Sequence, residues 1–143
     1  MAATNTTNVQ AIITNLETIV GTTLGFKLEY NIKDDPDVDT TPGAVILYLG
    51  ETFVENFGEK PLYNEISFLI LIKFTEENPG SIRDKAITHV HKLREGITID
   101  ALNVGDLSAS KIVSWVDHEG AEVDNEQPVN QIDYHLSVRY REL

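Results

Sequence analysis

The stretch from Leu62 to Leu93 constrains the fold more than any other part of the chain. It opens with a run that alternates as a β-strand does, and its even-numbered face is apolar except for Asn64. That face consists of Leu62, Ile66, Phe68, Ile70, Ile72 and Phe74. Asn78 and Pro79 then form a typical helix start. The apolar residues that follow at helical spacing are Ile82, Ala86, Val90 and Leu93. A strand with one continuous apolar face needs a helical layer, so the stretch predicts an α+β fold.

The remaining elements extend this pattern in both directions. A helix is predicted from Thr7 to Val20, and a strand with one buried face from Phe26 to Lys33. A further strand is predicted at Ala44–Leu49, which continues past a bulge at Gly50 over Thr52–Phe57. Strands are also predicted at Lys111–Val116 and Ile132–Arg141, with an optional short strand at Ile97–Asp100. The order is α-β-β-β-α-β-β. Short connections favour a mostly antiparallel sheet with both helices packed on one face.

Length and composition indicate one globular unit. The 143 residues suit a single domain, 1–143, with residues 1–6 as a flexible polar tail. The longest unbroken apolar run, Ala44–Leu49, is too short to span a bilayer, and the first residues lack the basic region of a signal peptide. We therefore expect no membrane partner.

Acidic residues dominate the charge of the chain. Eleven Lys and Arg face 23 Asp and Glu, for a net charge of −12, so specific binding to a phosphate backbone is not expected. Nine carboxylates fall in two segments that Pro and Gly mark as loops. The first loop contains Asp34, Asp35, Asp37 and Asp39, and the second contains Asp117, Glu119, Glu122, Asp124 and Glu126.

No short motif predicts catalysis or metal binding. His89 and His91 are two apart, so on a helix they point in different directions and are predicted to be polar-face side chains. The run 35–39 begins like a calcium loop but lacks its glycine and closing glutamate, which leaves adventitious cation binding only. Ser108 and Lys111 match a nucleophile pattern without its partner motifs, and there is no cysteine. We predict no enzyme, no catalytic residue, no cofactor and no metal.

Two pairs of residues are candidates for a subunit or partner interface. Arg139 and Arg141 share a face of the last strand, as either a solvated edge or an ion-pair contact with an acidic neighbour. Leu69 and Leu71 make the second face of the long strand half apolar, which would suit contact with another subunit.

Four segments carry a resemblance to a known family. They are the helix Asn8–Val20, the strand Ile66–Phe74, the helix Ser81–Arg94 and the closing segment Asn130–Glu142. In the order of these segments and the character of their sequences, the chain resembles the tail terminator proteins of long-tailed bacteriophages. The resemblance covers most of the chain.

The resemblance implies a structural virion protein at the head–tail junction, assembled in the host cytoplasm. In that family six copies form a ring on the tail tube, stop its growth and present a surface to the head connector. The implied partners are the chain itself as a homo-hexamer, the tail tube protein and a connector or neck protein, with DNA only as passing cargo. The acidic loops would lie near the lumen or a ring face, and the two arginines would meet a neighbour's acidic loop. A phage neck or head-completion protein and a monomeric adaptor domain are the alternatives.

Overall fold

The computed structural model describes residues 5–29, 42–54, 63–125 and 129–141. Its strands are β1 (Lys27–Leu28), β2 (Gly43–Val54), β3 (Tyr63–Phe74), β4 (Val113–Asp124) and β5 (Asn130–Tyr140). Its helices are α1 (Asn5–Thr18), which continues as a π-helical turn at Ile19–Thr23, α2 (Pro79–Gly96) and α3 (Ile99–Leu102), followed by a 3₁₀ turn at Gly105–Leu107. The strands form one sheet in the order β1-β2-β3-β5-β4, and only the β1–β2 pairing is parallel. The predicted α+β fold is confirmed.

The apolar face of β3 forms the layer of the core on which the helices pack. Ile66, Ile70 and Ile72 are fully buried on it. The antiparallel register with β5 places Ile66 opposite Val138 and Ile72 opposite Ile132, so the apolar face runs on without a break into the next strand. Burying one such side chain contributes roughly 1.5–3 kcal/mol, so this apolar face contributes strongly to stability.

Both long helices cover this one face. Ile12 and Leu16 of α1 belong to the same core cluster as Ile82 and Leu93 of α2 and the buried side chains of β3. The prediction that the two helices share a face of the sheet is therefore confirmed.

The sequence misplaced the N-terminal boundary and two short elements. α1 begins at Asn5, so the predicted tail 1–6 is too long, and residues 1–4 lie outside the described part. Of the predicted strand 26–33, only Lys27–Leu28 is a strand among the residues described. The optional strand at 97–100 is also wrong, because Thr98 Oγ1 accepts a hydrogen bond from the Ala101 N–H at 3.1 Å and caps the short helix α3.

The predicted second acidic loop is in fact a strand as far as Asp124. Residues 113–124 form β4, which pairs with β5 as far as Asp124 opposite Gln131. Two register shifts, between Val113 and Trp115 and between His118 and Gly120, each move the alternation by one residue. Core-facing positions therefore recur at spacings of three and two, and the period of two that identifies a strand is lost. The bulge predicted in β2 is confirmed by its register shift at Gly50, whose φ is 114°.

The start of α2 provides a test of local stability. The Asn78 side chain accepts hydrogen bonds from the N–H groups of Gly80 at 2.9 Å and Ser81 at 3.3 Å. Replacing Asn78 with Ala should lower the free energy of unfolding by about 1 kcal/mol, because two helix-end donors lose their acceptor. Urea unfolding measures the change. Asn78→Ser keeps a capping oxygen, so its free energy of unfolding should stay near that of the wild type. An equal loss of stability in both variants would contradict a capping role.

Candidate interaction surface

The face of the sheet opposite the helices is the candidate surface, and we call it the open face. No described helix packs on it. Pairing registers place its members side by side across β3, β5 and β4. They are Tyr63, Glu65, Ser67, Leu69, Leu71 and Lys73 on β3, Gln131, Asp133, His135, Ser137 and Arg139 on β5, and Trp115, Asp117, Gly120, Glu122 and Asp124 on β4. Most of the residues predicted to form an interface therefore share one surface.

The predicted leucines form an apolar patch with β2. Leu71 lies opposite Val45, and Leu69 lies opposite Leu47. Val45 and Leu71 are buried, whereas Leu47 and Leu69 are half-buried. The accessible part of the patch is therefore the Leu47–Leu69 pair.

Arg139 is held within the open face. Its Nε lies 3.5 Å from Glu65 Oε2, and its guanidinium carbon lies 5.0 Å from the centroid of the Tyr63 ring. The side chain is still 38% exposed. An ion pair at this exposure contributes only ~0–1 kcal/mol, so Arg139 keeps the capacity to meet a further acidic group.

Arg141 lies just past the end of β5 and has a different role from Arg139. One of its Nη atoms donates to the carbonyl oxygens of Ser110 and Lys111, and its backbone N–H donates to Ile112 at 2.9 Å. These bonds fasten the end of β5 to the turn before β4. Contact of Arg141 with a neighbour stays a prediction, but its substitution would disturb this turn as well as any assembly.

Four members of the second acidic set, Asp117, Glu119, Glu122 and Asp124, lie along β4, and Glu126 lies outside the described residues. Glu119, at the second bulge, accepts a hydrogen bond from Ser137 Oγ. Glu122 lies directly opposite Asp133 on the open face, and no described Lys or Arg pairs with either of them. Like charges placed opposite each other on neighbouring strands destabilise a sheet, so a cation near this pair would relieve repulsion. The first acidic set, Asp34, Asp35, Asp37 and Asp39, lies outside the described residues.

Trp115 is the surface residue that the sequence did not reveal. Simple alternation from Val113 would turn it into the core, but the first bulge of β4 turns it onto the open face opposite Arg139. It is 54% exposed. A large aromatic side chain in this position is the type of residue that anchors protein interfaces.

His118 is a satisfied structural histidine. Its Nδ1 lies 2.5 Å from Tyr134 Oη and its Nε2 lies 3.0 Å from the Ile97 carbonyl oxygen. Burial lowers the pKa of His118 and raises the pKa of Tyr134 to about 12. The neutral ring therefore donates from Nε2 to the Ile97 carbonyl oxygen, and its Nδ1 accepts a hydrogen bond from the Tyr134 hydroxyl. No other side chain joins this pair in the contacts of the described residues, so we assign it to the packing of β4 and β5 on Ile97.

His89 is buried, so its predicted place on a polar helix face is wrong. Its ring lies edge-on between Phe26 and Phe74, with centroid distances of 5.4 Å to each. Burial, with the nearby charges of Lys92 and Lys85, lowers the pKa of His89 to about 4. His91 is exposed. Among the described residues no group of three or more His, Asp or Glu side chains is placed to hold a metal ion.

No protein-family model matches the chain, and no curated protein matches its sequence significantly. Within the described ranges, no helix is long and apolar enough to cross a membrane.

Buried His89 predicts a specific pH dependence of stability. Its pKa is about 4 in the folded chain against an ordinary value of 6.5, so the unfolded chain binds the proton first as pH falls. The stabilisation from neutral His89 is complete above pH 6.5 and is lost as pH falls towards 4, by up to about 3 kcal/mol. His89→Leu should flatten this part of the curve in urea unfolding between pH 7 and 4. The exposed His91→Leu serves as the control, and parallel curves for wild type and His89→Leu would contradict the assignment.

Proposed function

We propose that this protein is a structural component of a phage virion that acts as tail terminators do. Copies of the chain would close a ring on the end of the tail tube, stop its growth and offer a docking surface to the head connector. The proposed ring has six subunits, as the resemblance implies. The proposal involves no enzymatic step, and DNA would pass the ring without being bound.

One observation carries the proposal: the sheet is covered by helices on one face and presents a mixed apolar and charged surface on the other. That surface is exposed along β4 and mostly half-buried along β3 and β5. The exposed Trp115 and the half-buried Leu69 supply apolar area there, and Arg139 and the β4 carboxylates supply charge of both signs. A surface of this composition is typical of contacts between folded subunits. The element order, which also suits the family, adds support.

Apolar contact must provide most of the energy of such an assembly. Exposed ion pairs contribute only ~0–1 kcal/mol each, so Arg139 would set the orientation of a neighbour more than the strength of its binding. Trp115, with Leu69 and Leu47, offers the apolar area. The acidic residues would act differently, because a net charge of −12 repels DNA that moves past the ring.

The proposal is tested by mass and by tube length. Light scattering of the purified chain should give about six times the 16.0 kDa subunit mass, and electron microscopy should show rings. Added to a polymerising tail tube protein of the same phage, the chain should end tube growth. A monomer at all concentrations that leaves tube length unchanged would instead indicate an adaptor domain.

Trp115 gives a sharper test of the open face as the subunit contact. Trp115→Ala should weaken self-association at least about 30-fold, because truncating an aromatic interface anchor typically costs about 2 kcal/mol or more. Light scattering over a dilution series measures this loss. Trp115 is the only tryptophan, so its fluorescence in the wild type should also shift to the blue as the ring forms.

Phe53→Ala is the matched control. Phe53 is 63% exposed but lies on the helix-bearing side of the sheet, opposite Asn64. Its truncation should leave assembly unchanged. Equal weakening by both substitutions, or by neither, would remove the open face from the proposed contact.

A further inference from the structure

The outer edge of β4 carries no pairing partner among the described strands. β4 pairs with β5 on one side, and no described strand lies on its other side. Every residue from Glu119 to Asp124 is exposed. A strand edge of this length, with its N–H and C=O groups directed outward, is a template for one more strand.

An apolar groove runs beside this edge on the helix side of the sheet. It lies between α2 and β4 and has a volume of about 400 Å³. Its apolar lining consists of Pro79, Ile82, Ala86, Ile87 and Val90 from α2 and Ala121 and Val123 from β4. The polar residues Arg83, His91 and Asn125 also line it. Ile87 and Val123 are 52% and 44% exposed, so the groove is open to an incoming side chain.

The two sides of β4 differ in chemistry. Ala121 and Val123 face the groove, whereas Glu122 and Asp124 face the open side of the sheet with Asp117. Glu122 also lies against Asp133, and this repulsion would be relieved by a cation. Side chains of an added strand point alternately to the same two sides.

We propose that the β4 edge binds an extended segment of a partner protein in which apolar residues alternate with Lys or Arg. The apolar side chains would enter the groove beside Ile87 and Val123, and the basic side chains would lie along Glu122 and Asp124. Main-chain hydrogen bonds to β4 would hold the segment in register. Val138, Arg139 and Tyr140 at the end of β5 alternate in this way, but both edges of β5 are already paired, with β3 and with β4. We therefore assign the segment to a different protein rather than to a second copy.

A synthetic peptide of about eight residues, the length of an ordinary strand, with alternating lysine and valine is the probe. Amide hydrogen exchange of the full chain should slow along β4 when the peptide is added, while α1 is unaffected. Binding should weaken as salt rises, because exposed charge pairs are screened. Two control peptides test the pattern. The first has the same composition but carries its lysines in one block and its valines in another, and the second alternates glutamate with valine. Each should bind at least about tenfold more weakly, since neither matches both sides of β4.

Two variants separate groove binding from general attraction to an acidic protein. Val123→Asp should weaken binding of the lysine–valine peptide at least about tenfold, because it places a charge in the apolar groove. Val104→Asp is the matched control, because Val104 is 47% exposed and lies outside the groove lining. It adds the same charge and should leave binding unchanged.

Three outcomes would overturn the inference. Equal binding of the block peptide, or equal effects of the two Asp variants, would mean that only net charge is recognised. A changed mass of Val123→Asp without any peptide would mean that the edge is a contact between copies. Since the peptide test uses this chain alone, its failure would leave the proposed role in tail assembly untouched.

Discussion

The structure depends on the register between β3 and β5. Because side chains alternate along a strand, a slip of one residue would turn Ile66, Ile70 and Ile72 from the core to the open face. α1 and α2 both rest on the side chains that this register presents, and β5 is the only described strand that pairs with β4. The interaction surface inherits the same constraint, since the register that buries the isoleucines also aligns Glu65 with Arg139.

Buried polar groups fasten this register at both ends. At one end Asn64 Nδ2 donates to Tyr140 Oη at 3.2 Å, and Tyr140 donates to Glu51 Oε1 at 2.5 Å, which joins β3, β5 and β2. At the other end Asn130 Nδ2 donates to the carbonyl oxygens of Phe74 and Glu76. Leaving any of these groups unpaired in the core would cost about 1–3 kcal/mol, so alternative registers are penalised twice, by exposed apolar area and by lost hydrogen bonds.

Sequence pattern was sufficient where alternation is regular. The apolar residues of β3, β5 and α2 recur at regular spacing, and Gly50 indicates the bulge of β2. These elements could therefore be predicted. β4 could not, because its two bulges shift the period twice and Gly120 within an acidic run resembles a loop. The same bulges hid the exposure of Trp115. His89 was misplaced because its polarity suggested solvent, whereas its position on α2 places it between two phenylalanine rings.

The acidic side of β4 explains how so exposed an edge remains compatible with a folded, separate subunit. If two β4 edges paired with each other, their open-face carboxylates, Glu122 and Asp124 among them, would come to lie side by side. Such opposed like charges disfavour pairing, which is the means by which many natural sheets protect an edge. The same charges would not oppose a cationic strand, and the apolar groove would favour one. The residues that prevent self-pairing therefore also define which strand the edge is able to accept.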